Sequence, residues 1–139
     1  MAAIAVQPII LNDVTLTVGT DNYEASVSQV QFDPASTVVR WKGMTPTSVY
    51  AFSTTSEWTV TLSYAQDWAT VNSLSAYLLA NEGKSVIMKF KPKKAATGTS
   101  PTVTATVLIT AGSIGGSIDG VATATVTLGV SGKPAVAAE

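Results

Sequence analysis

The stretch EWTVTLSYA (57–65) alternates strictly, with Trp58, Val60, Leu62 and Tyr64 at one parity and Glu57, Thr59, Thr61 and Ser63 at the other. Successive side chains of an extended strand point to opposite faces, so this register predicts a strand with one face in a core and the other in water. The same texture returns in PTVTATVLITAG (101–112) and GVATATVTLGVSG (120–132), neither of which is charged until a turn or tail residue is reached. They predict a long hairpin turning through GSIGGSIDG (112–120), of the sort that aggregates when its edges are left open. In the second stretch Thr123, Thr125 and Thr127 share one face, and Ala122, Ala124, Val126 and Leu128 the other.

The rest of the chain fits around these strands. VTLTV (14–18), the turn GTDN (19–22) and YEASVSQVQF (23–32) predict a first hairpin. Pro34 interrupts it, and 33–56 is expected to form a long hairpin or extended loop, with TVVRWKG (37–43) as its first arm. In QDWATVNSLSAYLLANEGKS (66–85) the period changes: Trp68, Val71, Leu74 and Leu78 recur at spacings of three and four. Asp67 or Thr70 can cap that helix and Gly83 can close it. SVIMKFKP (85–92) is a strand with Val86, Met88 and Phe90 inward, and KKAATGTS (93–100) a flexible loop. The apolar residues 1–11 are an arm or a strand, and 133–139 a mobile tail. The expectation is one mainly-β domain over 1–139, a β-sandwich or barrel with one helix outside.

Composition excludes several kinds of chemistry. Among 139 residues there is no Cys and no His, which removes disulfides, thiolate nucleophiles and His-based triads. Charged residues make up only 12 %, a surface poorly protected against association. A formal net charge of −1 gives no electrostatic case for tight nucleic-acid binding. MAAIAVQPIIL lacks a basic leader and breaks at Pro8, so no signal peptide is expected, and no apolar run is long enough to span a membrane. The expected setting is a soluble chain made in the cytosol.

Local motifs have plain structural readings. GKS (83–85) lacks the upstream glycine of a phosphate loop and stands between a helix and a strand, the reverse of a phosphate cradle. GSIGG (112–116) joins two strands and opens no helix. KFKPKK (89–94) holds four of the eight basic residues and is read as gatekeeping charge, with a polyanion or a neighbour's acidic patch as other partners. The acidic residues form no carboxylate dyad at a recognisable spacing. Trp41, Trp58 and Trp68 are expected to fill the core, an exposed platform for sugar being the other reading. No catalytic, cofactor-binding or metal-ligating residue is expected, and the chain is not expected to be an enzyme.

The order of pieces from Trp41 to Pro134 resembles the major tail tube proteins of long-tailed, siphovirus-like bacteriophages: a Thr-rich loop after a Trp strand, then SEWTVTLSYAQDWATVNSLSAYLLANEGKSVIMKFKP, then SPTVTATVLITAGSIGGSIDGVATATVTLGVSGKP. The resemblance implies a β-sandwich or half-barrel flanked by one helix. It implies a hexameric ring in which inner sheets join into one continuous barrel, and stacked rings that enclose the tape-measure protein and later conduct DNA without binding it specifically. The implied partners are other copies of the chain, the tape-measure protein, the tail terminator and the tail-tip or baseplate proteins. No membrane is involved, and the location is the virion tail, assembled in the host cytoplasm.

Carried onto this chain, the resemblance makes 33–56 an inter-ring segment, with Trp41, Met44, Val49, Tyr50 and Phe52 as its contacts. The uncharged, proline-free strings TVTATVLIT and VATATVTLGV suit a subunit seam, which marks Thr104, Thr106, Thr123, Thr125 and Thr127. Alternation nominates Glu24, Glu57, Thr59 and Thr61 for the lumen, and a hydroxyl lining offers DNA no fixed cation. The competing reading is a monomeric β-sandwich binding module of the carbohydrate-binding or adhesin type, using Trp41 or Trp58. A nucleic-acid binder using Lys89–Lys94 ranks third.

Overall fold

The computed structural model describes residues 1–94 and 97–139; Ala95 and Ala96, inside the expected flexible loop, lie outside the described residues. The chain is mainly β with one helix: β1 (Thr15–Val18), β2 (Asp21–Asn22), β3 (Val27–Ala35), β4 (Val38–Lys42), β5 (Val49–Ser53), β6 (Glu57–Ala65), α1 (Leu74–Ala80), β7 (Ser85–Lys91), β8 (Pro101–Leu108) and β9 (Thr123–Ala138). Instead of two stacked sheets there is one seven-stranded antiparallel sheet, ordered β2-β1-β7-β8-β9-β6-β3, with β4–β5 as a separate two-stranded ribbon. The sheet wraps around a single core without closing.

Period-2 alternation decides which side is core. Val60, Leu62 and Tyr64 of β6, Met88 and Phe90 of β7, Ala105 and Val107 of β8, and Val126 and Leu128 of β9 are all buried together. Leu16 and Val18 of β1 join them from the far side of the sheet, and the Phe32 and Phe90 rings, from β3 and β7, lie 6.4 Å apart. That proximity requires the sheet to curl. Among the described residues fourteen buried apolar side chains larger than alanine, each worth about 1.5–3 kcal/mol when fully buried, hold the wrap against chain entropy.

Three expectations about elements are corrected. The first hairpin is only the β1–β2 pair, turning at Gly19 (φ +66°), whereas 27–35 crosses to the opposite edge and pairs with β6. Pro34 does not end β3 but sits opposite Trp58, because a strand with a single partner tolerates a missing N–H. The helix is shorter than 66–85. The Asp67 carboxylate accepts the Ala69 and Thr70 N–H groups at 3.0 and 3.1 Å in a turn of its own, Asn72 adopts φ +60°, and Ser73 is the N-cap. Leu74 and Leu78 are buried as the period requires, while Trp68 and Val71 stay outside the helix and exposed.

The expected mobile tail 133–139 is instead the end of β9, paired with β8 through Ala135↔Thr104 to Ala138↔Pro101. Gly132 (φ +77°) lets β9 bulge, the buried Pro134 falls in the bulge where no ladder donor is needed, and pairing resumes beyond it. Glu139 is pinned by two backbone hydrogen bonds with Ser100, at 3.1 and 3.2 Å, and by a 3.2 Å ion pair with Lys89. Residues 1–11 are exposed and belong to no strand.

Candidate functional site

The five threonines expected at a subunit seam fall into two groups. Thr123, Thr125 and Thr127 face Ala65, Ser63 and Thr61 of β6, and Thr104 and Thr106 belong to β8, between β7 and β9. Thr104 and Thr106 have a strand on either side, with Lys89 and Ile87 of β7 opposite them on one side and Ala135 and Ser131 of β9 on the other. Thr123, Thr125 and Thr127 have one strand partner, because β9 pairs with β6 through Thr123–Val130 and with β8 from Gly129 onward.

What these residues do present is a face. On the side of the sheet away from the core, Gln29, Gln31 and Asp33 of β3 lie opposite Ser63, Thr61 and Thr59 of β6, and Ser63 and Thr61 lie opposite Thr125 and Thr127 of β9. The side chains are linked: Gln29 Nε2 donates to Gln31 Oε1 at 3.3 Å, Gln31 Nε2 donates to Asp33 Oδ1 at 2.8 Å, and the Ser63 and Thr125 hydroxyls share a 3.0 Å hydrogen bond. Asp33 is the single charge in this patch. The lumen candidates Thr59 and Thr61 thus join the seam candidates Thr125 and Thr127 on one hydroxyl and amide surface, with Glu57 at its margin opposite Ala35. Glu24 is elsewhere. Its Oε2 accepts the Leu16 N–H at 3.4 Å, and it lines a cleft of about 470 Å³ between β1 and β3.

That cleft marks where the sheet fails to close. β3 on one side and the β1–β2 ribbon on the other are the two unpaired edges, and Leu16, Val27, Val30 and Phe90 form the apolar part of the cleft wall. The sequence carried a signal for one of them, since a proline within a strand points to an edge. The two-residue β2 carried none.

The ribbon of 33–56 is the other exposed construction. Register places Val39 opposite Phe52 and Trp41 opposite Tyr50, so these four share a face, with the Trp41 and Tyr50 rings 5.9 Å apart. Val38, Arg40, Lys42, Val49, Ala51 and Ser53 occupy the other face. Of the expected contacts, Trp41, Tyr50 and Phe52 come together, Val49 points oppositely, Met44 is at the tip, and Val39 was missed. Every residue of both strands is exposed, Trp41 to 60 %. A two-stranded ribbon with no third partner is marginal in water, and a continuous apolar patch of this kind marks an interaction site. Trp41 and Trp68 therefore do not fill the core as expected, and Trp58 is only half-buried.

Three titratable groups among the described residues are shifted from their ordinary range. Burial pushes the Tyr23 and Tyr64 phenols up, and hydrogen bonds from the Thr70 hydroxyl and from the Thr70 and Ala69 backbone hold Asp67 below its usual range. Among the described residues no cluster of three acidic side chains could hold a metal ion. Among the described residues no helix is long and apolar enough to cross a membrane. GKS stands where the chain leaves α1 for β7, with Gly83 at φ +85° and its N–H on the Ile109 carbonyl, and so cradles nothing. Neither a scan against protein-family models nor a search of curated proteins finds a match.

Proposed function

We propose that this chain is a non-enzymatic structural subunit that assembles with its own copies into rings and a hollow tube, as the resemblance to phage tail tube proteins implies. The observation that carries the reading is the pair of unlike open edges, β3 and β1–β2, on either side of one cleft. An edge of one kind meeting an edge of the other on the next copy is a head-to-tail contact, and such a contact generates a ring when its rotation closes. Pairing extends the sheet from copy to copy and satisfies the open backbone groups. In that ring the Thr, Ser and Gln face lines the channel and gives phosphate no cation to hold. The tape-measure protein would occupy the channel before DNA passes, terminator and tail-tip proteins would end the tube, and the location would be the virion tail.

Negative-stain electron microscopy with sedimentation tests this. Rings with a central hole are expected, and placing two lysines along the β3 edge (Q29K with Q31K) should abolish them while the thermal unfolding of the subunit is retained. A second reading has one observation of its own: the exposed Trp41 with Tyr50 beside it is a stacking platform, suited to a monomeric sugar-binding module. A monomer at high concentration whose tryptophan fluorescence is quenched by oligosaccharide would establish that reading over the first.

A further inference from the structure

From Pro34 to Ser56 the chain carries no carboxylate, and its only charges are Arg40 and Lys42. Asp33 and Glu57 bound this stretch from within the sheet, on β3 and β6. The ribbon sorts its side chains between two faces. Trp41 lies opposite Tyr50 and Val39 opposite Phe52, whereas Arg40 lies opposite Ala51 and Lys42 opposite Val49. One face is therefore aromatic and aliphatic, and the other sets two cations among Val38, Val49 and Ala51. At the tip Met44 is fully exposed.

The ribbon is formed in advance of any partner. At its base the Thr54 N–H donates to the Thr37 carbonyl at 2.8 Å and the Thr37 N–H to Thr54 Oγ1 at 2.9 Å. At its tip the Gly43 N–H donates to the Ser48 carbonyl at 2.7 Å. A surface that meets the ribbon finds its rings already in place, so less entropy is lost in ordering them.

The layout fits the boundary between water and lipid. Trp and Tyr rings settle at headgroup depth, an apolar face sinks toward the acyl chains, and Arg and Lys on the opposite face extend to anionic headgroups. With no carboxylate in 34–56, the ribbon meets no repulsion from a negative surface. Crossing is ruled out by length, since strands of five residues extend about 17 Å against a hydrocarbon core of about 30 Å. Among the described residues β4 and β5 pair only with each other, and the backbone groups on their outer edges need water or headgroups as partners. A position within the headgroup layer meets both conditions. Trp68, the other well-exposed tryptophan, follows Asp67 in a stretch, 43–83, without Lys or Arg, and so lacks the matching charge.

We infer that the β4–β5 ribbon docks on an anionic lipid surface, with Val39, Trp41, Tyr50 and Phe52 toward the acyl chains and Arg40 and Lys42 among the phosphate headgroups. The inference does not depend on the assembly reading, which rests on the sheet edges and not on the ribbon.

Flotation of the full-length protein with vesicles tests this, comparing mixed phosphatidylglycerol and phosphatidylcholine with phosphatidylcholine alone. Binding to the anionic vesicles is expected, at least about tenfold tighter than to the neutral ones, with tryptophan emission shifted to the blue. R40E with K42E should weaken binding to the anionic vesicles by at least about tenfold, and Trp41→Ser with Phe52→Ser should weaken binding to both kinds, each variant unfolding at the wild-type temperature. No flotation of the wild-type protein with anionic vesicles, or undiminished flotation of either variant, would overturn the inference. Rings are scored on the same samples by electron microscopy: rings without vesicle binding would overturn the lipid contact and leave the assembly reading standing.

Discussion

The β6–β9 ladder and the β4–β5 ribbon have the same local chemistry and opposite fates. Each is a pair of antiparallel strands that carries several Val residues and two or more aromatic ones. In the ladder, one parity is sealed against α1 and the curled sheet, so that Val60, Leu62, Val126 and Leu128 are buried and only the hydroxyl face meets water. In the ribbon both parities are exposed, although one of them is as apolar as the core. Alternation sorts side chains between two faces; whether a face is buried depends on what lies against it. The ladder is where the chain buries its apolar face, and the ribbon is where that face is left open.

Substitutions can break that contrast or sharpen it. Leu62→Ala, in the ladder, should cost about 3 kcal/mol by denaturant unfolding, since it opens a cavity in a fully buried site. Thr125→Pro should cost on the order of 3 kcal/mol as well, because the proline ring disturbs the stretch of β9 that pairs with β6; loss of rings with unchanged subunit stability would show instead that β9 is a seam. Gly112→Ala should cost about 2 kcal/mol, as its methyl group would land on the buried Tyr64 hydroxyl and push the ring off its place in the core. Ser73→Ala removes the helix cap and should lower stability by about 1 kcal/mol, with a matching fall in thermal midpoint. Trp41→Ser with Phe52→Ser should change subunit stability least, within about 0.5 kcal/mol, yet shorten or abolish tubes. A large loss of subunit stability in that last variant would mean that the ribbon belongs to the core after all.

The strands most readable beforehand were those with one dry face. EWTVTLSYA became β6 over 57–65 with the anticipated parity buried, and Met88 and Phe90 turned inward as expected in β7. The helix was legible in the Leu74–Leu78 spacing but not in its start, since the Asp67 turn and the Asn72 conformation compete with helix through local hydrogen bonds that spacing does not reveal. The candidate site was legible in kind, as exposed aromatic residues in 33–56 and a hydroxyl-rich strand face. The link between loops 66–73 and 109–122 was not, because the Gln66 amide joins residues 49 apart in the chain and no motif announces it.

By itself, then, the amino-acid order determined a mainly-β chain with one helix, the parity of its longest strands, and the absence of histidine and cysteine chemistry, because these depend on neighbours along the backbone. Only the tertiary structure decided that β9 pairs first with β6 and then with β8, and that β3 and β1–β2 are the outer strands of the sheet. Those are properties of strand order and stagger. They are set by which distant segments bury their apolar faces together, and any single stretch of sequence is compatible with several such arrangements.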